Sequence, residues 1–257
     1  MNRLLIDRAL VASIVLIGWE VTSRWKGSYW ISSPLLVFER LWAMAMNGDL
    51  WFHGRFTLGE AFGGFLIGAI PGCAVAMALR SNRHLRAAIS GIAAVGYAVP
   101  KTALVPLFIL WFGVGPAAKV ALVSSAIFFI VFYSTLNGVE SVDQRLVSAA
   151  RVMGASERQI LGHIVWPAVV PYVFGGLRVA VPYAIAGAIV GEIISSNRGI
   201  GYLAQFGASD FDTTLIFVSL TTVMLIVLSI STLLAKVQRW LLRWQKTQSQ
   251  ETSAVAA

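Results

Sequence analysis

Long apolar runs separated by short polar segments dominate the chain. Because a membrane-crossing helix needs about 20 apolar residues, the six runs predict an all-α polytopic membrane protein with about six transmembrane helices. The runs cover residues 9–21, 58–79, 87–112, 120–136, 169–194 and 213–235. The third run contains Pro100 and Pro106, which favours a discontinuous helix or a short re-entrant segment before the span.

The first run is the weakest, because Glu20 interrupts it. The stretch MNRLLIDR followed by an apolar core is also typical of a signal peptide. No small-residue cleavage site follows, since Trp19, Glu20 and Trp25 are bulky or charged. We therefore expect an uncleaved anchor helix whose Arg24 side chain reaches the membrane surface.

The overall composition supports a membrane protein. The 257 residues are 57% hydrophobic and 12% charged, with a mean hydropathy of +0.75. Soluble proteins are about 45–50% apolar and about 25% charged. We expect one transmembrane domain over residues 1–257. The single cysteine, Cys73, lies in an apolar run and offers no disulfide framework.

Basic residues are concentrated in alternate loops, which predicts an orientation because Lys and Arg collect on the cytoplasmic side of a membrane. The basic loops carry Arg80, Arg83 and Arg86; Arg145, Arg151 and Arg158; and, in the tail, Lys236, Arg239, Arg243 and Lys246. Both termini are therefore expected in the cytoplasm. The long loop 22–57 is a partial misfit, since it places Arg24, Lys26, Arg40 and Arg55 outside.

The net charge of +8 is explained by this loop pattern and by attraction to anionic membrane lipid. A nucleic-acid partner is not expected. Tryptophans near the span ends are typical of the membrane interface. They are Trp25, Trp30, Trp42 and Trp51 outside, and Trp240 and Trp244 inside.

A polar segment, residues 138–167, lies between the fourth and fifth predicted spans, on the predicted cytoplasmic side. Residues 141–144 and 156–159 have the form of helix-capping boxes, and Gly154 can end the first helix in a left-handed conformation. Apolar residues recur at helical spacing and form a narrow face with small residues at its centre. They are Leu146, Ala149, Ala150 and Met153. Two interpretations stay open: a hairpin that receives a partner's side chain, or one that lies on its own bundle or on lipid headgroups.

The spacing of this segment resembles a family motif. Ala149 and Ala150, three residues, Gly154, nine residues, Ile164 and Pro167 follow the order of the EAA loop of ABC-importer permeases, whose pattern is E-A-A-x3-G-x9-I-x-L-P. Ser148 stands in place of the glutamate, and Trp166 in place of the leucine. Further segments resemble the permeases for sulfonates, taurine and nitrate. They are residues 99–113, 167–171, 176–178, 191–192 and 198–201.

The resemblance implies a type I ABC-importer-like transmembrane domain, in the inner membrane of a bacterium, with a cytoplasmic coupling helix inside residues 138–167. It implies three kinds of partner: two ATP-binding subunits, a solute-binding protein outside, and a second permease copy in a homodimer. It also implies which residues dock on the ATPase. They are Ala149, Ala150, Arg151, Gly154, Ala155, Ser156, Gln159 and Ile160.

The sequence carries no G-x-x-x-x-G-K-[ST] phosphate loop, and none of its five lysines follows a glycine. We therefore expect no cofactor in this chain, and ATP and Mg²⁺ on a partner subunit. The three histidines, His53, His84 and His163, share no metal-ligand spacing. No Ser-His-Asp or paired-carboxylate arrangement is present either, so neither a metal site nor a catalytic site is expected.

An ATP-driven importer permease is therefore the leading function. A secondary transporter or channel would need coupling groups buried at mid-membrane or an inverted repeat. A membrane enzyme would need clustered His, Asp, Glu or Cys within the spans. The sequence offers no sign of these features.

Three charged residues are candidates for the translocation path: Lys101 and Arg178, which lie inside predicted spans beside chain-breaking residues, and Glu192, which ends the fifth span. A cation within the membrane costs roughly 2.5–3.5 kcal/mol, so it should face a carboxylate, the headgroups or a water-filled path. Structural roles are the alternative for each. Two cations favour a small anionic solute, a sulfonate first, with taurine or nitrate as relatives of that class. A different solute, such as a vitamin precursor, stays open.

Glycines repeat every four residues in the second run, at Gly64, Gly68 and Gly72. Small residues on one helix face let helix backbones approach closely. We expect this face to pack within the bundle, with a hinge or a dimer contact as the alternative.

Overall fold

The computed structural model describes residues 2–27 and 29–243, and within these ranges the chain is helical and has no strand. The helices are α1 (Asn2–Lys26), α2 (Pro34–Met46), α3 (Asp49–Ala78), α4 (Arg83–Ala98), α5 (Val105–Phe112), α6 (Pro116–Glu140), α7 (Gln144–Val152), α8 (Glu157–Ile160), α9 (Trp166–Ser195), α10 (Ile200–Ser209) and α11 (Thr213–Leu241). A π-helical turn, Leu161–Val165, joins α8 to α9. The predicted interface residue Trp244 and the predicted inside charge Lys246 lie outside the described residues.

Four of the described helical segments are long and apolar enough to cross a membrane. They are Asp49–Ser81, Pro116–Glu140, Glu157–Ser195 and Thr213–Leu241. A fifth candidate is the pair formed by α4 and the segment Lys101–Phe112, which are bent by 78° at Val99 and Pro100. The residue before a proline is biased away from the helical conformation, so this break follows from the sequence. The predicted break in the third run is confirmed, and it fits both a discontinuous span and a re-entrant segment.

The first predicted run lies inside α1, a helix of 25 residues. This helix is not among the long apolar segments, because charged residues stand at both of its ends. They are Asp7, Arg8, Glu20, Arg24 and Lys26. Glu20 and Arg24 pair with each other at 2.8 Å, one helical turn apart, which lowers the cost of a carboxylate near the membrane surface.

The described chain packs as two compact units. The first joins residues 2–59 to Ile189–Ile226, and its core contains Val37, Met44, Ile200, Leu203, Leu215 and Val218. The second joins Glu60–Ala188 to residues 227–243, and its two apolar clusters centre on Phe132 and on Val169. The prediction of one domain over residues 1–257 stays a prediction.

The glycine repeat of α3 packs directly on α6 in the second unit. A Cβ atom on Gly68 would lie 2.6 Å from the carbonyl oxygen of Ser124, and one on Gly72 would lie 2.6 Å from that of Phe128. Carbon atoms do not approach backbone oxygens that closely, so the two backbones touch only because these positions lack side chains. The predicted packing role of the repeat is confirmed.

Gly68→Ala is therefore expected to destabilise the protein, and Gly59→Ala is the matched control, because nothing lies within 4 Å of a Cβ atom at Gly59. In both variants the higher helix propensity of Ala stabilises the helix by about 1 kcal/mol. At Gly68 alone, the overpacking of the new methyl group costs about 1–3 kcal/mol and opposes this gain. Thermal unfolding in detergent should give a lower Tm for Gly68→Ala than for Gly59→Ala. Equal Tm values would contradict the close approach.

Candidate functional site

The polar segment forms a helical hairpin, α7 followed by α8. Asp143 caps α7 by accepting the backbone N–H of Arg145 at 2.8 Å. The predicted box at residues 141–144 is therefore wrong in detail, because Ser141 instead donates to the carbonyl of Gly138 at 2.8 Å and ends α6. A free N-terminal amide takes the nearest side-chain acceptor that the turn brings into reach.

The turn and the second cap agree with the sequence pattern. Gly154 adopts φ +83, a left-handed conformation that glycine accepts without strain. The box at residues 156–159 is complete: the Gln159 N–H donates to the Ser156 hydroxyl oxygen, and the Ser156 N–H donates to Gln159 Oε1 at 2.8 Å. Both features are local, so the hairpin has a defined geometry.

One face of the hairpin packs on its own unit. Val147 and Ile160 are buried with Val165 and Val169, and Ala150 and Ala155 pack against this cluster while partly exposed. The prediction that Ile160 presents its side chain to a partner needs correction, because this side chain is only 1% exposed. Ile160 supports the hairpin from within.

The opposite face is open. Val152 and Met153 are 89% and 87% exposed, the highest values among the exposed large apolar side chains of the described chain. Leu146 and Ala149 are exposed on the same helix. The remaining predicted docking residues on this side are also exposed: Arg151, Gly154, Ser156 and Gln159. Val152 and Met153 therefore form an open apolar tip on the hairpin.

A shallow depression of about 370 Å³ lies behind the tip. It is lined by Ala150, Met153, Gly154, Ala155, Gln159, Ile160, His163 and Ile164. Five of these residues belong to the predicted docking set, and Met153, His163 and Ile164 add to it. The hairpin therefore offers both a protruding apolar tip and a small recess beside it.

An ion-pair cluster braces the hairpin. The Glu157 carboxylate lies 2.8 Å from the guanidinium of Arg151 and 3.4 Å from that of Arg80. Arg80 belongs to the turn that follows α3, so one carboxylate joins three separate segments. Solvent screens exposed pairs of this kind, so they link the three segments without contributing much to the stability of the fold.

Val152 was missed by sequence reasoning. The apolar residues of α7 fall on two faces, and the pattern singled out Leu146, Ala149, Ala150 and Met153 alone. Val152 lies three residues after Ala149 and six after Leu146, so the same helical spacing includes it. That spacing was the available signal, and only the packing of Val147 and Ile160 decides which face is free.

Lys101, a predicted residue of the translocation path, makes contacts that stabilise the local structure. Its ammonium donates to the carbonyl oxygens of Gly96, Tyr97 and Val99, the last at 3.0 Å. It also lies 4.6 Å from the centroid of the Phe129 ring. The carbonyls at the end of α4 lack helical partners, and a cation there is favourable. The structural alternative therefore accounts for Lys101.

Arg178 lies exposed on α9, beside a depression that it shares with Val179, Leu228, Ser231, Thr232 and Ala235. Among the described residues it takes part in no ion pair. The described contacts of Lys101, with Gly96, Tyr97, Val99 and Phe129, include none of the residues beside Arg178.

Glu192 is fully buried in the first unit, where it holds the start of α10. Its carboxylate accepts the Thr57 hydroxyl at 2.7 Å and the Gly201 N–H at 2.7 Å. Thr57 in turn accepts the Ile200 N–H at 2.9 Å. Gly199, at φ +107, lies against the carboxylate with no room for a Cβ atom. A carboxylate at a helix N-terminus satisfies its free amides, so Glu192 positions the loop before α10.

Comparison with known proteins agrees with this arrangement. Residues 64–247 match the family model of the binding-protein-dependent transport system inner membrane component. This chain belongs to that family. It is a membrane-embedded transport permease of the ABC-importer type and not an enzyme, which confirms the resemblance seen in residues 149–167.

Individual relatives align over most of the chain. The riboflavin transport system permease protein RibX of Chloroflexus aurantiacus is 34% identical, covering 90% of this chain and 87% of the relative. The formylaminopyrimidine transport permease protein ThiX of Halalkalibacterium halodurans is 28% identical, covering 95% and 97%. The putative aliphatic sulfonates transport permease protein SsuC of Escherichia coli is 30% identical, covering 79% and 78%.

A solved structure supports the fold. One chain of a bacterial ABC transporter involved in the import of alginate superimposes with a TM-score of 0.65 at 15% identity, covering 93% of this chain and 96% of that chain. At this identity the likeness shows the fold alone. The fold class, an all-α transmembrane domain of type I ABC importers, is confirmed.

Proposed function

We propose that this chain is the transmembrane permease of an ATP-driven importer and that its hairpin, α7 and α8, docks on an ATP-hydrolysing partner subunit. The observation that carries the proposal is the apolar tip formed by Val152 and Met153, which is almost fully exposed while the opposite face of the hairpin is buried. Interface centres are apolar and desolvated when the partner is bound, and this tip has the chemistry of such a centre.

The proposed assembly has two ATP-binding subunits, a solute-binding protein and a second copy of this chain. ATP and Mg²⁺ bind the partner subunits, and this chain contributes the membrane path and the docking hairpin. Co-expression with the neighbouring transport genes tests the assembly. We expect the chain to elute together with an ATP-hydrolysing subunit. Solute transport by the chain alone in proteoliposomes would contradict the proposal.

We also propose that both termini and the hairpin lie in the cytoplasm. Two ion pairs support a common side for the basic loops: Arg80 with Glu157 at 3.4 Å, and Arg86 with Glu140 at 3.4 Å. The first pair joins the turn after α3 to the hairpin, and the second joins the first turn of α4 to the end of α6. These loops carry the basic residues that favour the cytoplasmic side.

Single cysteines in a Cys73→Ser background test this orientation. Ser81 lies in the basic turn after α3, and Ser209 lies at the end of α10; both are exposed. We expect a membrane-impermeant maleimide to label Ser209→Cys in intact cells, and Ser81→Cys only after the cells are opened. Labelling of both positions in intact cells would overturn the topology.

Two solute classes have specific support. A vitamin-like nitrogen heterocycle is favoured by the relatives named for riboflavin and formylaminopyrimidine, which align with 90% and 95% of this chain. A small sulfonate-like anion is favoured by the relative named for aliphatic sulfonates, which aligns with 79%, and by Arg178. Lys101 no longer supports an anion, because α4 carbonyls bind its ammonium. We therefore place the heterocycle first.

Uptake by the whole transport system decides between the two classes. Riboflavin, formylaminopyrimidine, taurine, an alkanesulfonate and nitrate should be compared at equal expression. We expect uptake of one of the two heterocycles, unchanged in Arg178→Gln. Uptake restricted to the anions, with a loss of tenfold or more in Arg178→Gln, would reverse the order of the two classes.

A further inference from the structure

Helix α2 in the first unit exposes a stripe of large apolar side chains. Leu35, Phe38, Trp42 and Met46 are each 59–67% exposed. Their spacing of three and four residues places them on one helix face. Contiguous exposed apolar surface marks a face that binds protein or membrane lipid, so we expect one of these to contact the stripe.

The other faces of α2 are different in character. Val37 and Met44 are buried in the core of the first unit. Glu39, Arg40 and Ala43 are also exposed, and Glu39 lies at the edge of the stripe, four residues after Leu35. The helix therefore has three faces: one packed on protein, one apolar and open, and one open that carries Glu39 and Arg40. A helix that lies at the surface of a membrane needs this division.

Contacts within the first unit place α2 at the level where membrane helices begin. Ser32, just before α2, lies 2.9 Å from Thr214 in the first turn of α11, a candidate span. Arg40 pairs with Asp212, which caps the same helix. The other end of α2 is followed at Asp49 by α3, another candidate span. Both ends of α2 are thus held at the ends of spanning helices, which is the membrane edge.

Exposed tryptophans flank α2 on both sides. Trp25 and Trp30 precede it, and Trp51 follows it in the first turn of α3. Tryptophan rings concentrate at the membrane interface because they combine an apolar body with a polar N–H. The tryptophans that the sequence predicts at the outer interface are therefore exposed on and around this helix, with Trp42 on α2 itself.

An apolar groove of about 530 Å³ runs between α1 and α2. Leu16, Ile17, Val21, Leu35 and Phe38 line it, and the Glu20–Arg24 pair lies towards its α1 C-terminal end. The groove is apolar along most of its length, which suits an acyl chain, and its polar end, where Glu20 pairs with Arg24, suits the level of the lipid headgroups.

We propose that α2 is an interfacial helix that lies in the membrane surface, with its stripe on the acyl chains of bilayer phospholipid and one acyl chain in the groove. The occupant is lipid because the stripe continues onto Ile14, Ile17 and Val21 of α1, which are exposed and apolar in the same unit. Leu35 and Phe38 of the stripe line the groove together with Ile17 and Val21, so the apolar surface is continuous across both helices.

Spin labels on α2 test the proposal in proteoliposomes of phosphatidylethanolamine and phosphatidylglycerol. In a Cys73→Ser background, nitroxides are attached to Phe38→Cys, Trp42→Cys and Met46→Cys, with Ala43→Cys as the matched control on another face. We expect oxygen to collide with the stripe labels more often than the water-soluble nickel chelate does, and the reverse at Ala43. Collision frequencies that differ between the three stripe positions and Ala43 follow the period of a helix, and a disordered loop would not produce this difference.

Other outcomes overturn the proposal. Strong nickel collisions at the stripe mean that it faces water. Low collisions with both reagents mean a protein cover, and spin–spin broadening then identifies a second copy of this chain. An independent measurement uses the native protein: doxyl-labelled phospholipid should quench part of its tryptophan fluorescence, and Trp42→Phe should reduce the quenched part. An unchanged quenched part also counts against the proposal.

Discussion

Met153→Asp is expected to abolish solute-stimulated ATP hydrolysis by the assembled importer while the chain still inserts and folds. Met153 is 87% exposed at the tip of the hairpin, so its replacement costs little within this chain. In the complex, a carboxylate there would be buried without a partner. Central interface residues contribute about 2 kcal/mol or more, so we expect binding of the ATPase to weaken by more than tenfold.

Ala149→Arg should have the same effect, because Ala149 is exposed on the same helix and the larger side chain would fill the partner's groove. Met153→Leu is the matched control and should retain both binding and hydrolysis. Ile160→Asp gives the opposite signature: Ile160 is buried, so this variant should lose folded protein rather than docking alone. Transport that survives in both Met153→Asp and Ala149→Arg would refute the docking assignment.

Glu192→Ala is expected to destabilise the first unit by about 3 kcal/mol, because it leaves buried N–H and O–H donors without an acceptor. The Thr57 hydroxyl and the Gly201 N–H lose their partner, each now bound at 2.7 Å. For a protein of this size, such a loss corresponds to roughly 10 °C in Tm. Thermal unfolding of the purified permease in detergent measures it.

Glu192→Gln and Thr57→Val complete this experiment. Gln keeps one acceptor oxygen, so its loss of stability should be smaller than that of Ala. The double variant Glu192→Ala/Thr57→Val should be less destabilised than the sum of its two single variants, because each single variant already removes the hydrogen bond between these side chains. A different result is informative: full stability with lost transport in Glu192→Gln would assign Glu192 to the translocation path instead.

Much of the fold follows from the sequence because it depends on neighbours along the chain. Apolar runs long enough to span a membrane predict α3, α6, α9 and α11, and Pro100 predicts the break between α4 and α5. Gly154 and the capping box at residues 156–159 depend on contacts across three or four residues, and both form as expected. The glycine repeat predicts a close helix contact without naming its partner, α6.

Only the tertiary structure decided which residues each of these side chains contacts. The apolar residues of α7 fit two faces equally well, and the burial of Val147 and Ile160 selects the one that leaves Val152 and Met153 open. Lys101 is bonded to carbonyls that become available only because α4 ends in a bend of 78°. Glu192 meets Thr57 across 135 residues of sequence. Periodicity reports which residues avoid water, whereas a side chain's partner depends on backbone positions set by contacts far away along the chain.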